Sequence, residues 1–517
     1  AALRARPSIS VLMPTYNPRR EWLVEAIESV RAQLYPEWEL CIADDASPEP
    51  HVREVLRHYE QLDRRIKVAY RSTNGHISAT SNSALALATG EWIALLDHDD
   101  LLPADALLHV ALAIGRSPEA QLIYSDEDKL GPGGRFRPYF KSDWNAELFL
   151  SQNMFSHLGV LRTERVRRVG GFRTGLEGSQ DYDLVLRCLQ GLKPDQVVHI
   201  PRVLYHWRVH ESSTAASAET KPYAQVAAVR ALREHLQRAG IDGTVQPAAA
   251  GYRILYSLPT PRPRVAVVLQ DASRLPRRTL ERAARALLDA GDSVQVRLIL
   301  QGMSSCAAAD ARCVPGLSPA ELLAAVEAER CTVACVLRVP VHALSKDWLE
   351  ELVRHACRPG NGLVGPMLVD GQGLIASAGV VLTPEDASGE CRGLDAHRGY
   401  PSSYAGHGGR AQLVQAFSAV RDLCVAMPIS VFRVAVAEGL LFHPDNGLRL
   451  SQSVRRQGLT VLWTPFSKVR IDKDVLDRFT LGTLPLPGGC DPYYNPNLHA
   501  VEADFTLAWP PRSECDA

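Results

Sequence analysis

Apolar runs typical of β-strands alternate with amphipathic segments typical of helices through the first 115 residues. The expected strands cover residues 9–13, 40–43, 66–70 and 92–96, and the expected helices cover residues 21–34, 52–62 and 78–87. Strands that alternate with helices form βαβ units, and such units build a doubly wound, mostly parallel sheet. The sequence therefore predicts an α/β fold of this kind for the first half of the chain.

Three groups of carboxylates follow apolar runs in this half. They are Asp44-Asp45, Asp97-His98-Asp99-Asp100 and Asp126-Glu127-Asp128. Ligands of open α/β sheets bind outside the carboxyl ends of the strands, so we expect the acids to face one crevice. Oxygen ligands at this density favour a hard cation, Mg2+ or Mn2+.

The second group, Asp97-His98-Asp99-Asp100, is the strongest candidate for a cation site. Residues two apart in an extended segment project the same way, so Asp97 and Asp99 can both face the crevice. A cation held there would also bind substrate phosphates. The competing interpretation is an acidic loop that caps a helix over residues 103–113, a role open to Asp100. One cap needs a single acid, which favours the cation site.

Turns after the first two strands carry groups that suit a nucleoside. The first turn offers an aromatic ring to stack on a nucleobase and a hydroxyl to bond it, at Pro14, Thr15, Tyr16 and Asn17. In the second, Asp44 and Asp45 can accept the imide N–H of uracil or thymine, or ribose hydroxyls. The alternatives are a plain turn and an Asx-turn at Asp45-Ala46-Ser47-Pro48. We expect Asn74 and Asn82, which precede the strand at residues 92–96, to line the ribose and phosphates.

Residues 177–184 open an amphipathic helix that continues to Leu189. The functional interpretation makes Asp181 a general base aimed at an acceptor hydroxyl. The alternative is that acids in the first helical turn only compensate the helix dipole. Asp183, two residues further on, faces elsewhere on a helix and is expected to be structural.

The segment His206-Trp207-Arg208-Val209-His210 concentrates cations and imidazoles before Ser212-Ser213-Thr214. We expect a closing loop here, on which Arg208 or His210 grips a diphosphate or completes the metal shell. The alternative is that the histidines are ordinary core or surface residues.

After a Pro-rich stretch at residues 259–263 the sequence pattern begins again. The run 265–269 resembles 9–13, and 333–337 resembles 92–96, but Arg338-Val339-Pro340 stands where the first copy has Asp97-His98-Asp99. We therefore predict a first domain over residues 1–258, a linker over 259–263, and a degenerate duplicate over 264–517 that is structural or acceptor-binding. An unrelated α/β domain is the alternative.

Composition excludes several classes of protein. The net charge of -1 provides no overall electrostatic attraction to nucleic acid. The 11 cysteines form no C-x-x-C pair, which predicts reduced thiols and a cytosolic location. No apolar run reaches the roughly 18 residues of a membrane span. The chain starts at Ala1 without a methionine, so we expect a fragment, and an anchor outside it stays open. Phosphate-loop, dinucleotide, serine-elbow and zincin motifs are absent.

Four motifs, taken in order, resemble the family 2 glycosyltransferases of GT-A fold. They are residues 10–17, residues 43–47, Ala88-Thr89-Gly90-Glu91-Trp92 leading into Asp97-His98-Asp99-Asp100, and Gly170-Gly171-Phe172 leading to Gln180-Asp181-Tyr182-Asp183-Leu184. The resemblance implies a nucleotide-diphosphate sugar donor whose base is recognised by Thr15, Tyr16 and Asp45. It also implies Asp97 and Asp99 at the metal and diphosphate, and Asp181 as the base of an inverting transfer.

One departure is that the usual Glu-Asp pair of the family reads Gln180-Asp181 here, which leaves one carboxylate for the base. The second half is similar to the second such domain of tandem bacterial polysaccharide glycosyltransferases, with its acids lost. The resemblance suggests a UDP- or dTDP-sugar donor and a glycan, lipid-linked or protein acceptor, in O-antigen, capsule or flagellin glycosylation, at the cytoplasmic face of the membrane. A nucleotide-sugar pyrophosphorylase and a carbohydrate-binding pseudoenzyme are the alternative functions.

Overall fold

The computed structural model describes residues 6–210, 222–289, 293–305, 311–316, 318–338, 342–384, 389–442, 446–472, 475–476, 479–485, 491–499 and 503–508. Within them the chain divides into two compact units. The first unit contains Ala1–Trp144 and Asn153–Ile241, and the second contains Asn145–Gln152 and Asp242–Ala517. The division falls at Asp242, earlier than the Pro-rich stretch that the sequence pattern suggested as a linker.

Up to residue 240, the described residues form strands β1 to β8 and helices α1 to α8. The strands cover Ile9–Thr15, Trp38–Asp44, Ile66–Tyr70, Trp92–Leu95, Leu122–Gly131, Gly134–Tyr139, Gly159–Arg162 and Val197–Arg208. The helices cover Arg20–Arg31, Pro50–Leu62, His76–Leu87, Ala106–Arg116, Ala146–Ser151, Thr163–Arg168, Gln180–Cys188 and Pro222–Arg238. The expected strands and helices up to residue 96 are all present, although α1 ends at Arg31, before the exposed Leu34.

The sheet of the first unit has the order β3-β2-β1-β4-β7-β5-β6, and β8 also pairs with β5. Strands β1, β2, β3 and β4 are mutually parallel, β7 is antiparallel to its neighbours β4 and β5, and β8 is parallel to β5. Nearly every residue of β1 and β2 is buried, because helices cover both faces of a parallel sheet. The predicted α/β fold with a mostly parallel sheet is confirmed.

The second unit has strands β9 to β23, over Gly243–Ala248, Gly251–Tyr256, Arg264–Leu269, Gln295–Gln301, Ala311–Val314, Val333–Leu337, His342–Ala343, Asn361–Val369, Ile375–Ser377, Val380–Leu382, Glu390–Asp395, Gln415–Ala416, Cys424–Pro428, Thr460–Arg470 and Thr483–Pro485. Its helices α9 to α13 cover Arg277–Leu288, Pro319–Ala328, Trp348–Ala356, Ile429–Ala437 and Gly447–Arg456. The second unit is therefore also of mixed α/β type.

The main sheet of the second unit repeats the strand order of the first. Its order is β13-β12-β11-β14-β21-β16-β22-β15. Strands β11, β12, β13 and β14 are parallel, β21 is antiparallel to β14 and β16, and β22 is parallel to β16. The same sequence of directions runs from β3 through β8 in the first sheet. The strand order and strand directions of the second half therefore repeat those of the first half, as the apolar runs of its sequence also do.

The segment that carries α5 belongs to the second unit, although it lies within the first half of the sequence. Asn145 caps α5 by accepting from the backbone N–H of Leu148, and its side chain also forms a pair of hydrogen bonds with the backbone of Ala416, at 3.0 and 3.1 Å. Asn145 is almost fully buried. These bonds explain why residues 145–152 pack with a part of the chain 271 residues away in sequence.

No described helix is long and apolar enough to span a membrane. The described cysteines, at positions 41, 188, 313, 331, 335, 357, 391 and 424, are all free thiols.

Candidate active site

The carboxyl ends of β1, β2 and β4 meet at one edge of the first sheet. Thr15 pairs with Asp44 across β1 and β2, and the backbone N–H of Asp45 donates to the carbonyl of Thr15 at 2.9 Å. On the other side, His98 Nδ1 lies 3.2 Å from the carbonyl oxygen of Pro14. The turns after these strands, which the sequence singled out, are therefore neighbours in space.

Asp100 fastens the turn after β4 to the end of β8. Its buried carboxylate accepts from the Tyr205 hydroxyl at 2.5 Å and from the backbone N–H of Arg208 at 2.7 Å. Burial raises the pKa of Asp100 well above its ordinary value, and the neighbouring Asp99 and Asp97 add to this effect. The interpretation of Asp100 as a helix cap was wrong: α4 begins only at Ala106, and both carboxylate oxygens are used by β8.

Asp99 and His210 are in direct contact, since His210 Nε2 lies 2.7 Å from Asp99 Oδ2. Arg208 donates through Nε to the backbone carbonyl of Asp99 at 2.6 Å and through a terminal nitrogen to Glu25 at 2.6 Å. The backbone N–H of Asp97 donates to the Tyr205 hydroxyl at 3.2 Å. Asp97, Asp99, Arg208 and His210 are thus brought to one edge of the sheet.

The side chains of Asp97, Asp99 and His210 could supply some of the ligands of a hard or borderline cation. Asp99 offers a carboxylate and His210 an imidazole, and Asp97 lies two residues from Asp99. Among the described residues no group of three or more His, Cys, Asp or Glu side chains is close enough to hold an ion by itself. Mg2+ and Mn2+ commonly bind one or two carboxylates and take their other ligands from substrate phosphates and water. The residues are therefore compatible with a cation that binds together with a phosphate.

The expected closing loop at residues 206–210 is mostly strand. β8 continues through Arg208, and the backbones of His206 and Leu101 form a pair of hydrogen bonds. The prediction failed because His206 lies opposite Asp128 of β5, and its Nδ1 contacts that carboxylate at 2.6 Å. Because Asp128 pairs with the imidazole of His206, this polar side chain can lie within a buried strand. The expected loop residues Ser212, Ser213 and Thr214 lie outside the described part of the chain.

Asp44 and Asp45 have different surroundings. Asp44 Oδ1 accepts from the backbone N–H of Ser47 at 3.1 Å, which closes the turn after β2. Asp45 accepts from Arg71 Nε at 2.8 Å and from the backbone N–H of Gly75 at 2.9 Å. The Asx-turn that was the alternative interpretation at Asp45 is thus formed by Asp44 instead, which leaves the Asp45 carboxylate facing the turn after β3.

The residues around the first turn differ in exposure. Tyr16 is 49% exposed, whereas Thr15 is buried and its hydroxyl lies 3.4 Å from the carbonyl oxygen of Met13. Asn17 has a positive φ of 49° and accepts through its side chain from the backbone N–H of Glu49 at 3.3 Å. The Tyr16 ring is therefore open to a ligand. Recognition of a base by these residues stays a prediction.

Asn74 and Asn82 are engaged within the protein. Asn74 Nδ2 donates weakly to the carbonyl of Asp45 at 3.4 Å. The Asn82 amide forms two hydrogen bonds with the backbone of Phe172, at 2.7 and 2.9 Å, and thereby holds the Gly170-Gly171-Phe172 turn against α3. A contact of Asn82 with a ribose or phosphate stays a prediction, and this amide would have to release Phe172 to make it.

Asp181 is the second residue of α7 and is half-buried. Asn153 Nδ2 donates to Asp181 Oδ2 at 2.9 Å. Burial raises the pKa of Asp181 above its ordinary value, and hydrogen bonds from the backbone and from Asn153 oppose this rise. A carboxylate with a raised pKa is better suited to accept a proton near neutral pH than an ordinary one.

Asp183 is structural, as the helical spacing predicted. It is fully buried and forms ion pairs with Arg173 and Arg187. Arg187 also donates to the carbonyls of Val169 and Gly171, at 2.7 and 2.6 Å. The network thus joins α7 to the glycine turn that precedes Phe172.

We expect Asp183→Ala to destabilise the first unit by about 3–5 kcal/mol, because it leaves the buried guanidinium of Arg187 without its carboxylate and removes one of the two acidic partners of the partly exposed Arg173. The measurement is the urea midpoint of the first unit's unfolding transition. The control is Asp195→Ala, which removes an exposed carboxylate on the connection between α7 and β8. Equal midpoints for the two variants would contradict the structural role of Asp183.

The third acidic group does not join the crevice, so this part of the prediction was wrong. β5 continues through Gly131, which places Asp126, Glu127 and Asp128 inside a strand. Each of these carboxylates has a basic partner: His199 for Asp126, Lys129 and Lys141 for Glu127, and His206 and Arg135 for Asp128. Lys129 is local to Glu127, but His199 and His206 lie 73 and 78 residues from Asp126 and Asp128, so the local pattern could not show that the whole group is neutralised.

The pKa values of this group show that the charges are paired. Burial alone would raise the pKa of Glu127, but Lys141 and Lys129 outweigh it and hold the value at about 2. Burial would likewise lower the pKa of His199, but Asp126 outweighs it and raises the value to about 9. The group is therefore a buried ion network and not a set of ligands for a cation.

Sequence reasoning missed three residues of the site. Arg71 holds Asp45, Tyr205 holds Asp100, and Asn153 holds Asp181. The position of Arg71 directly after the third strand was a usable signal, because the ends of parallel strands meet at one edge. Tyr205 and Asn153 gave none, since their partners lie 105 and 28 residues away in sequence.

In the second unit, β14 takes the place that β4 has in the first sheet, and Arg338 directly follows it. Arg338 forms an ion pair with Asp422 at 2.6 Å, and both side chains are almost fully buried. A cation is unfavourable beside a buried guanidinium, so this position does not suit a metal-bound diphosphate.

Comparison with known proteins gives one family match. The model of glycosyl transferase family 2 matches residues 10–168, which run from β1 to α6. An uncharacterized protein of Sinorhizobium fredii, y4gI, is 37% identical over 98% of this chain and 59% of its own length. The O-antigen biosynthesis protein RfbC of Myxococcus xanthus is 30% identical over 98% of this chain and 41% of its own length. The chain thus spans about half the length of these curated relatives.

Among solved structures, the chain is similar to Staphylococcus aureus TarS 1-349 in complex with UDP-GlcNAc. The identity is 19% and the TM-score 0.38, over 44% of this chain and 66% of the other. A likeness of this size identifies neither a ligand nor a reaction.

Proposed function

This chain belongs to glycosyl transferase family 2 through the domain at residues 10–168, and on this premise we propose that its first unit transfers a sugar from a nucleotide-diphosphate sugar to a hydroxyl group. The observation that carries the proposal is the meeting of three strand ends. These ends bring Asp45, Asp99 and the partner of Asp99, His210, to one edge of the sheet. Parallel sheets bind their ligands at this edge.

The nucleoside is assigned to the turns after β1 and β2. Tyr16 is exposed enough to stack on a base, and Thr15 lies directly before it. A carboxylate has about four acceptor positions, so Asp45 can accept an imide N–H or a ribose hydroxyl in addition to its bonds from Arg71 and Gly75. An imide N–H next to a carboxylate favours UDP- or dTDP-sugars as donors.

The diphosphate is assigned to the turn after β4, with Asp97, Asp99 and His210 as the protein ligands of Mg2+ or Mn2+. Such an ion, when bound, neutralises charge that develops on the leaving diphosphate. Arg208 supports the same turn through the backbone of Asp99, and His98 fixes it to Pro14. Because Asp100 anchors the turn to β8, the ligand carboxylates are held before the donor arrives.

The reaction is a single displacement with inversion at the anomeric carbon. Asp181 accepts the proton of the acceptor hydroxyl, whose oxygen attacks the anomeric carbon from the face opposite the leaving group. The bond from that carbon to the phosphate oxygen breaks, and its electron pair leaves with the nucleoside diphosphate. A general base of this kind contributes roughly 10²- to 10⁴-fold to the rate.

The second unit is assigned a non-catalytic role, structural or acceptor-binding. The buried pair of Arg338 and Asp422 occupies the position after β14 where the first unit has its acidic turn. The similarity to an O-antigen biosynthesis protein supports a role in surface glycan synthesis. As part of the same proposal, the transfer takes place in the cytoplasm, at the inner face of the membrane, and the acceptor is a glycan, a lipid-linked sugar or a protein.

Calorimetry with UDP, dTDP and GDP, each with and without Mn2+, tests the proposal. We expect UDP or dTDP to bind in the presence of Mn2+. The affinity should fall at least tenfold when the metal is removed, because the side chains alone provide too few groups to bind the diphosphate. Binding that ignores both base and metal would contradict a transferase. A pyrophosphorylase would instead form a nucleotide sugar from a sugar 1-phosphate and a nucleoside triphosphate, which a direct assay distinguishes.

A further inference from the structure

The carboxylate of Asp181 is held by an uncharged side chain. Asn153 Nδ2 donates to Asp181 Oδ2 at 2.9 Å, from the segment between α5 and β7. Burial raises the pKa of Asp181, and hydrogen bonds from the backbone of Tyr182 and Asp181 and from the Asn153 side chain oppose the rise. Asn153 is therefore the side chain that orients this carboxylate, together with the backbone N–H groups of its own turn.

We propose that Asn153 is the positioning residue of Asp181 in sugar transfer. This inference rests on the proposed function, because it takes Asp181 as the general base. An ionised carboxylate can only accept hydrogen bonds, so the amide must present Nδ2 to it. The contact uses one acceptor position of Oδ2 and restrains the plane of the carboxylate, which has about four acceptor positions and can still accept from the acceptor hydroxyl.

The second acid that family members usually carry beside the base is absent here, and the side chain that contacts Asp181 is Asn153. At the position of the absent acid the chain has Gln180, whose Oε1 accepts from the backbone N–H of Gly178 at 2.8 Å and is thus used within its own turn. In the transfer step the hydroxyl proton moves to the Asp181 carboxylate. The asparagine amide neither gains nor loses charge near neutral pH, so Asn153 orients the base without competing with it for the proton.

The second amide atom of Asn153 adds no hydrogen bond to the described part of the fold. Its Oδ1 is buried and has no hydrogen-bond partner among the described residues. A buried acceptor without a partner is unfavourable, and an apolar side chain of similar size would avoid the loss. Local choices that cost stability are typical of functional sites.

The test is Asn153→Ala in the full chain, measured as nucleotide release from the fastest donor in a panel of UDP-glucose, UDP-N-acetylglucosamine, dTDP-rhamnose and GDP-mannose with Mn2+. We expect kcat to fall on the order of 10- to 100-fold, because the base loses its orientation, with KM for the donor within about twofold of wild type. The acid limb of the kcat profile should move to higher pH, since the lost donor stabilised the ionised form. The control is Gln237→Ala on the exposed side of α8, which should leave both unchanged.

Asn153→Asp keeps the shape of the side chain and serves if the alanine variant does not fold. It places a second carboxylate at the base, so the pair titrates together and the acid limb should move further up. A wild-type kcat and pH profile in either folded variant, with Asp181→Asn inactive, would overturn the role of Asn153 and leave the proposed function intact. An active Asp181→Asn would overturn both.

Discussion

Asp181→Asn is expected to lose turnover by roughly 10²- to 10⁴-fold while donor affinity stays within about twofold of wild type. The amide has the size of the carboxylate but cannot accept the proton of the acceptor hydroxyl. The substitution should leave the donor site unchanged, because the residues assigned to nucleoside and diphosphate lie on the turns after β1, β2 and β4, whereas Asp181 lies on α7. Nucleotide release gives the rate, and calorimetry with UDP and Mn2+ gives the affinity.

A matched substitution separates the role of Asp181 from general effects of charge. Asp195→Asn removes the same charge from an exposed position, and it should retain full turnover. Turnover near the wild-type rate in Asp181→Asn would remove the assignment of the base. A large loss of UDP affinity in the same variant would place Asp181 at the donor instead.

The strands and their ends were predictable because the signals for them are local. A buried parallel strand is a short apolar run, and its end is marked by the first polar residues, as Asp44 and Asp97 show. The order of strands in a sheet built from βαβ units is also strongly restricted. Local pattern and topology together were sufficient to place Thr15, Asp45 and Asp97 at one edge.

The partners of buried charges were not predictable in the same way. Nothing near Glu127 in the sequence shows that Lys141 reaches it, and the approach of His199 to Asp126 depends on the pairing of β5 with β8. Whether an acid belongs to a site or to an ion network therefore depends on contacts between distant segments. The same reason hid Tyr205, since an aromatic residue within an apolar run gives no sign of its hydroxyl partner.

Asp99→Ala is expected to weaken both donor binding and turnover, the latter by at least about 100-fold at millimolar Mn2+, because the loss of a metal ligand removes several kcal/mol of stabilisation from the leaving diphosphate. The backbone of Asp99 still accepts from Arg208 in this variant, so the turn after β4 should keep its position. Removal of Mn2+ with EDTA should give a similar loss in the wild-type chain. The control Asp105→Ala removes a half-exposed carboxylate near the start of α4 and should have no effect.

Asp99 contacts His210, so a loss in Asp99→Ala has two explanations, a missing metal ligand or a displaced imidazole. Asp99→Asn separates them, since the amide oxygen can still accept from His210 at a similar distance while the negative charge is gone. If the carboxylate binds the cation, the asparagine variant should resemble the alanine variant, and a higher Mn2+ concentration should restore part of the rate in both. If Asp99 serves only to hold His210, the asparagine variant should turn over like wild type, and that result would contradict the metal site.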